Sequence, residues 1–539
     1  MAIDPRRIRR GPAEIKNHRR KVLTVAALAL AAQSFPEGAH AQLAASGTGG
    51  APRDPWRITS SIGIDETYSD NINLSSAGNE RSDFVTSINP RITVTRLGRY
   101  VTADLTYSPQ YIYYARGTNG NALRNSLSAD ARATLIDNFL TFDAAASIQQ
   151  QNISPFGTQA ANTFNGSTNR AETRTYSFGP TVRSRYDQDL TYSAGYRYFQ
   201  SGSNSSAYSS SHTSSVFGDF QSSTSFRNIG FGGNFNRTEQ DYSGSNSIVT
   251  ETVGSNLTYV VSPTVHLRGN VGYDRNRYPT TGQPDLQGVS YSGGFDWQPS
   301  HHSSLNAQIG HRYFGPTANI SAQQTTAKYA LNASYTRDQT TSTGSGLQLV
   351  QDPNYALLDQ FYRATITDPV LRGQAVATAL QQAGLSSSQY GTSSFLSNQL
   401  YVQKRVDVSL ALFGLRNTVT FDAARTESQS LSAITSGFDV FNTANRFQAT
   451  IYSANWSHKL GPRTTANATI QKIHNQAITG IGDTRQRIFT ASMNRQFSRY
   501  LNGSVLYRNT TQTSDSNSSG FFSGNYRENS VLGSLRLTF

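Results

Sequence analysis

The chain contains no cysteine, which excludes disulfides, thiolate metal ligands and thiol nucleophiles together. Charge is also scarce: Asp, Glu, Lys and Arg make up 15% of residues, against roughly a quarter in an average soluble domain. Beyond the N-terminal region no run reaches the ~18 apolar residues that a membrane-spanning helix needs. Neither a phosphate-binding P-loop nor a dinucleotide fingerprint is present. There are only six lysines, so arginine carries most of the net charge of +13.

Aromatics are plentiful, with 28 Tyr and 27 Phe, although the mean hydropathy is −0.49. Disordered chains are poor in aromatics, so bulk disorder is excluded. A polar average combined with many aromatics and few helix formers fits a transmembrane β-barrel, whose strands show lipid only every second residue.

The N-terminus reads as a secretory signal over residues 1–41. Arg6, Arg7, Arg9, Arg10, Lys16, Arg19, Arg20 and Lys21 form a basic region, followed by the apolar run VLTVAALALAA. Ala39 and Ala41 then occupy the small-residue positions of a cleavage site before Gln42. Cleavage removes eight basic and three acidic groups, taking the net charge from +13 to +8. Residues 42–55 read as a short periplasmic linker, too short for a separate plug domain, and 56–539 as one all-β barrel.

From Trp56 onward the dominant signal has period two, the mark of a strand with unlike faces. In VTADLTYSPQYIYY, Val101, Ala103, Leu105, Tyr107, Tyr111 and Tyr113 share one face, and Thr102, Asp104, Thr106 and Gln110 the other. Turn signals alternate between short ones, as at Gly461-Pro462, and longer polar stretches such as 69–82, 153–170, 431–444 and 515–525. Short periplasmic turns and long extracellular loops make the same alternation. We count twenty-two strand starts, including Ser303, Gln323, Thr341 and Tyr401. Segment 342–350 is the weakest, and losing it with one neighbour leaves twenty.

The last residues, VLGSLRLTF, place Val531, Leu535, Leu537 and Phe539 on one face and Ser534, Arg536 and Thr538 on the other, with Leu532 the apolar exception. Bacterial outer-membrane barrels commonly end in such a strand. That similarity implies that Leu535, Leu537 and Phe539 form a signal read by the barrel assembly machinery, with Phe539 at the periplasmic rim. Counting back then brings Trp56, Trp297 and Trp456 to the same rim. Between 351 and 399 the period shifts toward 3.6, with Asp368-Pro369 as a helix start and Gly384 as its stop. Parity places this helical insertion on the extracellular side, either on the rim or folded into the lumen.

The phrases IDETYSDNINLSSAGNERSDFVTSINPRITV, DPVLRGQAVATALQQAGL and ALFGLRNTVTFDAARTES resemble the PEP-CTERM system-associated outer-membrane proteins. These are barrels found beside exosortase and exopolysaccharide genes. The resemblance implies a Gram-negative outer membrane and a role in exporting extracellular polysaccharide, with periplasmic export proteins as partners. It supplies no catalytic residues.

The residues themselves point away from catalysis. His301-His302 sit in a turn with no acidic or cysteine cluster beside them, so they make no metal site. Ser303 and Ser304 lack a readable orienting partner for a triad. No cofactor is implied, and no basic stripe suits nucleic acid. The polar strand faces place Arg91, Asp104, Asp143, Arg183, Arg185, Arg197, Arg268, Asp274, Arg405, Asp407, Arg508 and Arg536 in the lumen, together with Asp422. They form either a stiffening ladder of ion pairs or an electropositive path for anions. The expected function is a conduit for exopolysaccharide. A general diffusion porin and a surface adhesin are the alternatives.

Overall fold

The computed structural model describes residues 56–186, 189–205, 209–222, 228–243, 247–277, 285–341, 395–431, 439–515 and 524–539. The proposed signal, the linker and most of the 351–399 insertion lie outside these residues. The chain forms strands β1 (Arg57–Ser69), β2 (Asp83–Leu97), β3 (Val101–Tyr107, continued by Gln110–Tyr114), β4 (Ala122–Arg124, continued by Leu127–Ile136) and β5 (Leu140–Asn152). Then come β6 (Arg170–Tyr186), β7 (Leu190–Ser203), β8 (Ser211–Ser222), β9 (Ile229–Tyr242), β10 (Ser247–Ser262) and β11 (Val265–Arg277). These are followed by β12 (Leu286–Ser300), β13 (Ser303–Arg312), β14 (Gly315–Thr325), β15 (Tyr329–Thr340), β16 (Tyr401–Phe413) and β17 (Asn417–Ser430). The last are β18 (Arg446–Gly461), β19 (Thr464–Thr479), β20 (Asp483–Gln496), β21 (Leu501–Ser514) and β22 (Tyr526–Thr538).

Every strand pairs antiparallel with its sequence neighbours, and β22 returns to pair with β1, closing a barrel of 22 strands. Phe539 N–H donates to Ser60 O at 2.8 Å across that seam. Closure leaves no edge, so the strand backbone is satisfied from within, as a wall facing hydrocarbon requires.

Alternation divides the wall into two faces. Ile64, Phe231, Leu257, Val289, Ile309, Ile470 and Val505 are exposed on the outside. Their cross-strand partners are also apolar or small, as in Ile64–Ile88, Phe231–Leu257 and Ile470–Phe489. Trp56, Trp297 and Trp456 are exposed near the rim that carries Phe539. Arg96 lies over Trp56 and Arg499 over Tyr500 at that rim. Aromatics with cationic neighbours mark an interfacial girdle.

Three expectations need correction. The strands after Ser303 start at Gly315 and Tyr329, not at Gln323 and Thr341. The missed turn is Tyr313-Phe314, aromatic where turns are usually polar, and Gly315 takes φ +108° to make it. Segment 342–350 lies outside the described residues. The two loop classes also do not alternate without exception, because Tyr313-Phe314 and 480–482 are short connections on the long-loop rim. Finally, the described end of the insertion, Phe395 to Gln399, is not helical and is mostly buried.

Candidate functional site

The connection from β5 to β6, residues 153–169, folds into the barrel instead of out to solvent. Its sequence, ISPFGTQAANTFNGSTN, sets two aromatics among Pro, Gly and amide residues. Phe156 is fully buried and Phe164 nearly so. Asn169 fixes the first bend, accepting from Ser154 N–H through Oδ1 and donating to Ser154 O through Nδ2, each at 2.8 Å. Gly157 is required beside it, since a Cβ there would stand 2.4 Å from Asn169 Cγ.

Backbone taken from water needs new partners, and the opposite wall provides them. Asn475 of β19 donates to Pro155 O at 2.7 Å, and Thr484 of β20 to Phe156 O at 3.1 Å. Gln486 Nε2 and Tyr526 Oη both donate to Gln159 O, at 2.9 Å from one another and 2.6 Å each from that oxygen. Gln159 N–H donates to Gln512 Oε1 at 3.0 Å. Asn165 Nδ2 reaches Glu528 Oε1 at 2.8 Å, and Tyr114 of β3 donates to Phe164 O at 2.7 Å. The loop is thus fastened to β19–β22 on one side and β3 on the other.

A cluster of rings joins it to two other connections. Phe156, Phe395, Tyr401, Phe441 and Phe447 pack with Val440 and Ala444, their ring centroids 5.0–5.8 Å apart. Phe441 belongs to the single-turn helix α1 (Val440–Thr443). Leu396 N–H donates to Ile153 O at 3.1 Å, bringing the segment before β16 against the end of β5. Asp439 accepts from Phe441 N–H at 3.0 Å, Asn398 N–H at 2.9 Å and Ser397 Oγ at 2.9 Å. Burial pushes its carboxyl above the ordinary range, against the pull of those three donors.

Smaller clusters add to the filling, one of them Ile153, Ala171 and Leu396 at the base of the loop. Ile72, Val85, Ile112, Tyr114 and Phe164 pack together with Leu532, which explains the one inward leucine of the last strand. Leu400 packs on Tyr242 and Ile248, with Leu286 and Leu431 beside them. The loop half of the lumen is therefore crossed by the chain's own connections.

Toward the turn rim the inward face is polar. The register sets Arg91, Asp104, Asp143, Arg183, Arg185, Arg197, Arg268, Asp274, Arg405, Asp407, Arg508 and Arg536 opposite the exposed apolar rows. They do not form one cluster. Asp143 pairs with Arg132, Arg268 with Asp296, and Arg405 with Asp407. Arg312, which the sequence reading passed over, clamps buried Asp274 through two bonds of 2.8 and 2.9 Å and also meets Asp338 at 2.9 Å. Asp422 accepts from Ser453 Oγ at 3.0 Å. Asp104 stands directly opposite Asp130. Arg91, Arg183, Arg197, Arg508 and Arg536 make no ion pair among the described residues.

These unpaired arginines lie on β21–β2 and β6–β7, the side beneath the inward loop. The opposite sector has a different surface. On β9–β14 the inward residues include Asn234, Asn236, Thr252, Asn256, Asn270, Ser292, Gln308 and Asn319, and they line cavities of about 620 and 550 Å³. Ser292 Oγ accepts from Asn270 at 3.1 Å and Gln308 at 2.8 Å. Gly254, Gly272, Gly294 and Gly310 interrupt that face, and a Cβ at Gly294 would meet Ala307 O at 2.2 Å.

The inward loop was not anticipated. Its available signal was Phe156 and Phe164 inside an otherwise polar stretch, next to Pro155, Gly157 and Gly166. Its anchors Gln486, Gln512 and Tyr526 look like ordinary inward strand residues.

No protein-family model matches the chain, and no curated protein matches it. Solved structures do. The FrpB iron transporter of Neisseria meningitidis (F3-3 variant) is 10% identical, covers 89% of this chain and 81% of its own, and superposes with a TM-score of 0.49. The ferric-catecholate import receptor Fiu of E. coli in its open form is 9% identical over 89% and 81%, with a TM-score of 0.48. The siderophore receptor PirA of Pseudomonas aeruginosa is 9% identical over 91% and 81%, with a TM-score of 0.43. These are likenesses of barrel architecture.

Proposed function

We propose that the protein is an outer-membrane conduit that passes a hydroxyl-rich polymer, an extracellular polysaccharide, along the β9–β14 sector of its lumen. The observation supporting this reading is the division of the lumen. One side is filled by residues 153–169 and their partners, and the other keeps a wall of amides, hydroxyls and glycines. Amides and hydroxyls exchange hydrogen bonds readily with sugar hydroxyls, and glycines leave room for a chain to pass. Of the charges lining this sector, Arg268 is paired with Asp296 and Arg312 with Asp274 and Asp338, while Arg185, Asp189 and Arg337 also face the cavities. The resemblance to PEP-CTERM-associated barrels agrees with this substrate class. In this reading residues 1–41 are cleaved on export, the Phe539 rim is periplasmic, and a periplasmic export partner gives direction.

The decisive experiment is deletion of the gene and measurement of exopolysaccharide in the medium and on the cell surface. Normal amounts in both would sink the proposal. The purified barrel in planar bilayers should show a low conductance that rises when 157–166 is replaced by a short Gly-Ser link. A large, open conductance in the intact chain would instead favour a general diffusion porin.

A further inference from the structure

On the outer face of β19 and β20, Lys472 stands directly opposite Arg487. Like charges directly opposed across a strand pair are destabilising, and both side chains are exposed. The next outward pair toward the Phe539 rim is Ile470 and Phe489, 61% and 39% exposed, while Tyr452 stands opposite Lys472 itself. The two cations therefore crown the apolar wall. Arg425 on β17 adds a third, bonded to Gln448 Oε1 at 2.6 Å.

Acids close to them on this face are already engaged. Asp483 is taken by His474 and Arg485, and Glu427 by Lys404 and Arg446. Lys472 and Arg487 make no ion pair among the described residues. Asp515, at the end of β21, lies 3.6 Å from Arg485 and is likewise taken. With only six lysines in the chain, an outward Lys set against an outward Arg calls for an external anion.

We propose that Arg425, Lys472 and Arg487 hold the phosphorylated headgroup of a lipid in the leaflet at the loop rim. The apolar wall below, with Ile470 and Phe489, takes the acyl chains, and the cations at its upper edge, with Tyr452 beside Lys472, take the phosphate. That division fits an amphiphile better than a free ion, because the charge sits directly over a lipid-facing surface. The shared anion also converts the Lys472–Arg487 repulsion into two charge-assisted contacts.

The test uses the full chain in nanodiscs of phosphatidylcholine, with or without lipid A bisphosphate, and scores bound lipid by native mass spectrometry. Lys472→Gln with Arg487→Gln should weaken lipid A binding by about tenfold or more. Arg495→Gln with Arg499→Gln, at the opposite rim, should leave it unchanged. In neutral lipid Lys472→Gln should raise the melting temperature, because it relieves the repulsion; with lipid A present it should lower it. That inversion of sign separates a binding role from a structural one, and Lys472→Arg should preserve both readings. Equal lipid A retention in wild type and the double variant would overturn the proposal. So would displacement of the lipid by millimolar inorganic phosphate, which would identify a small-anion site instead.

Discussion

Gln159 and Gln512 stand 353 positions apart in the chain and meet inside the barrel, where the Gln159 N–H donates to Gln512 Oε1 at 3.0 Å. The same residue's carbonyl accepts from Gln486 and Tyr526. The backbone of one residue of the inward loop is thus held by three strands of the far wall. Replacing Gln512 with Leu leaves a buried N–H without its partner, at a cost of about 1–3 kcal/mol to the docked loop. The undocked population should rise roughly ten- to hundredfold. Single-channel recordings should show more frequent openings, and proteolysis should cut within 157–166. An unchanged record from Gln512→Leu would mean that the loop is held elsewhere.

Acid should strengthen the seal at the mouth. Burial raises the Asp439 carboxyl above its ordinary value in the docked state. A raised pKa means that docking favours the protonated form, so its contribution is complete below the undocked value and is lost as pH rises through the docked one. Conductance should therefore be lower near pH ~4 than near pH ~7. Asp439→Asn should flatten this dependence, and a slope retained in that variant would assign the effect to another group.

The Arg312 network offers a contrast between a buried and an exposed partner. Asp274 is 1% exposed and bidentate with Arg312, whereas the Asp338 side chain is 59% exposed. Asp274→Asn leaves Arg312 without its main counter-charge and should cost about 3 kcal/mol. Asp338→Asn should cost under ~1 kcal/mol. Urea unfolding in lipid vesicles measures both, and equal losses would contradict the assigned burial.

Strand phase was legible because each turn of the pattern is local: lipid on one side and polar lumen on the other alternate residue by residue, as from Val101 to Tyr113. Leu532 broke that pattern, and its reason lies in Ile72, Val85, Ile112 and Phe164, which no local reading joins to it. The turn at Tyr313-Phe314 escaped notice because Gly315 alone supplies the positive φ while the turn residues themselves are aromatic. Loop 153–169 read as a solvated stretch since polar residues serve water and the lumen wall equally well. Long-range contacts such as Asn165 with Glu528 and Gln159 with Gln512 distinguish the two. Luminal charge was readable as a set, but its pairing was not: Arg312, the partner of Asp274, arrives from two strands away.

Ile470 and Gln471 are neighbours in sequence on opposite faces of β19, which makes them a direct test of the barrel's two environments. Ile470 is 61% exposed and pairs with Phe489, while Gln471 sits across from Ser453 and Ile488 on the lumen side. If the outer face meets hydrocarbon, Ile470→Arg must bring a guanidinium toward lipid, with a depth-dependent cost of up to about 2–4 kcal/mol at the bilayer midplane. Gln471→Arg places the same group in a polar lumen and should cost less than ~1 kcal/mol. Folding free energies from urea titration in phosphatidylcholine vesicles give the comparison. In detergent micelles, which deform around a charge, the difference should shrink. Equal costs in vesicles would mean that the apolar rows of this face are covered by protein rather than lipid.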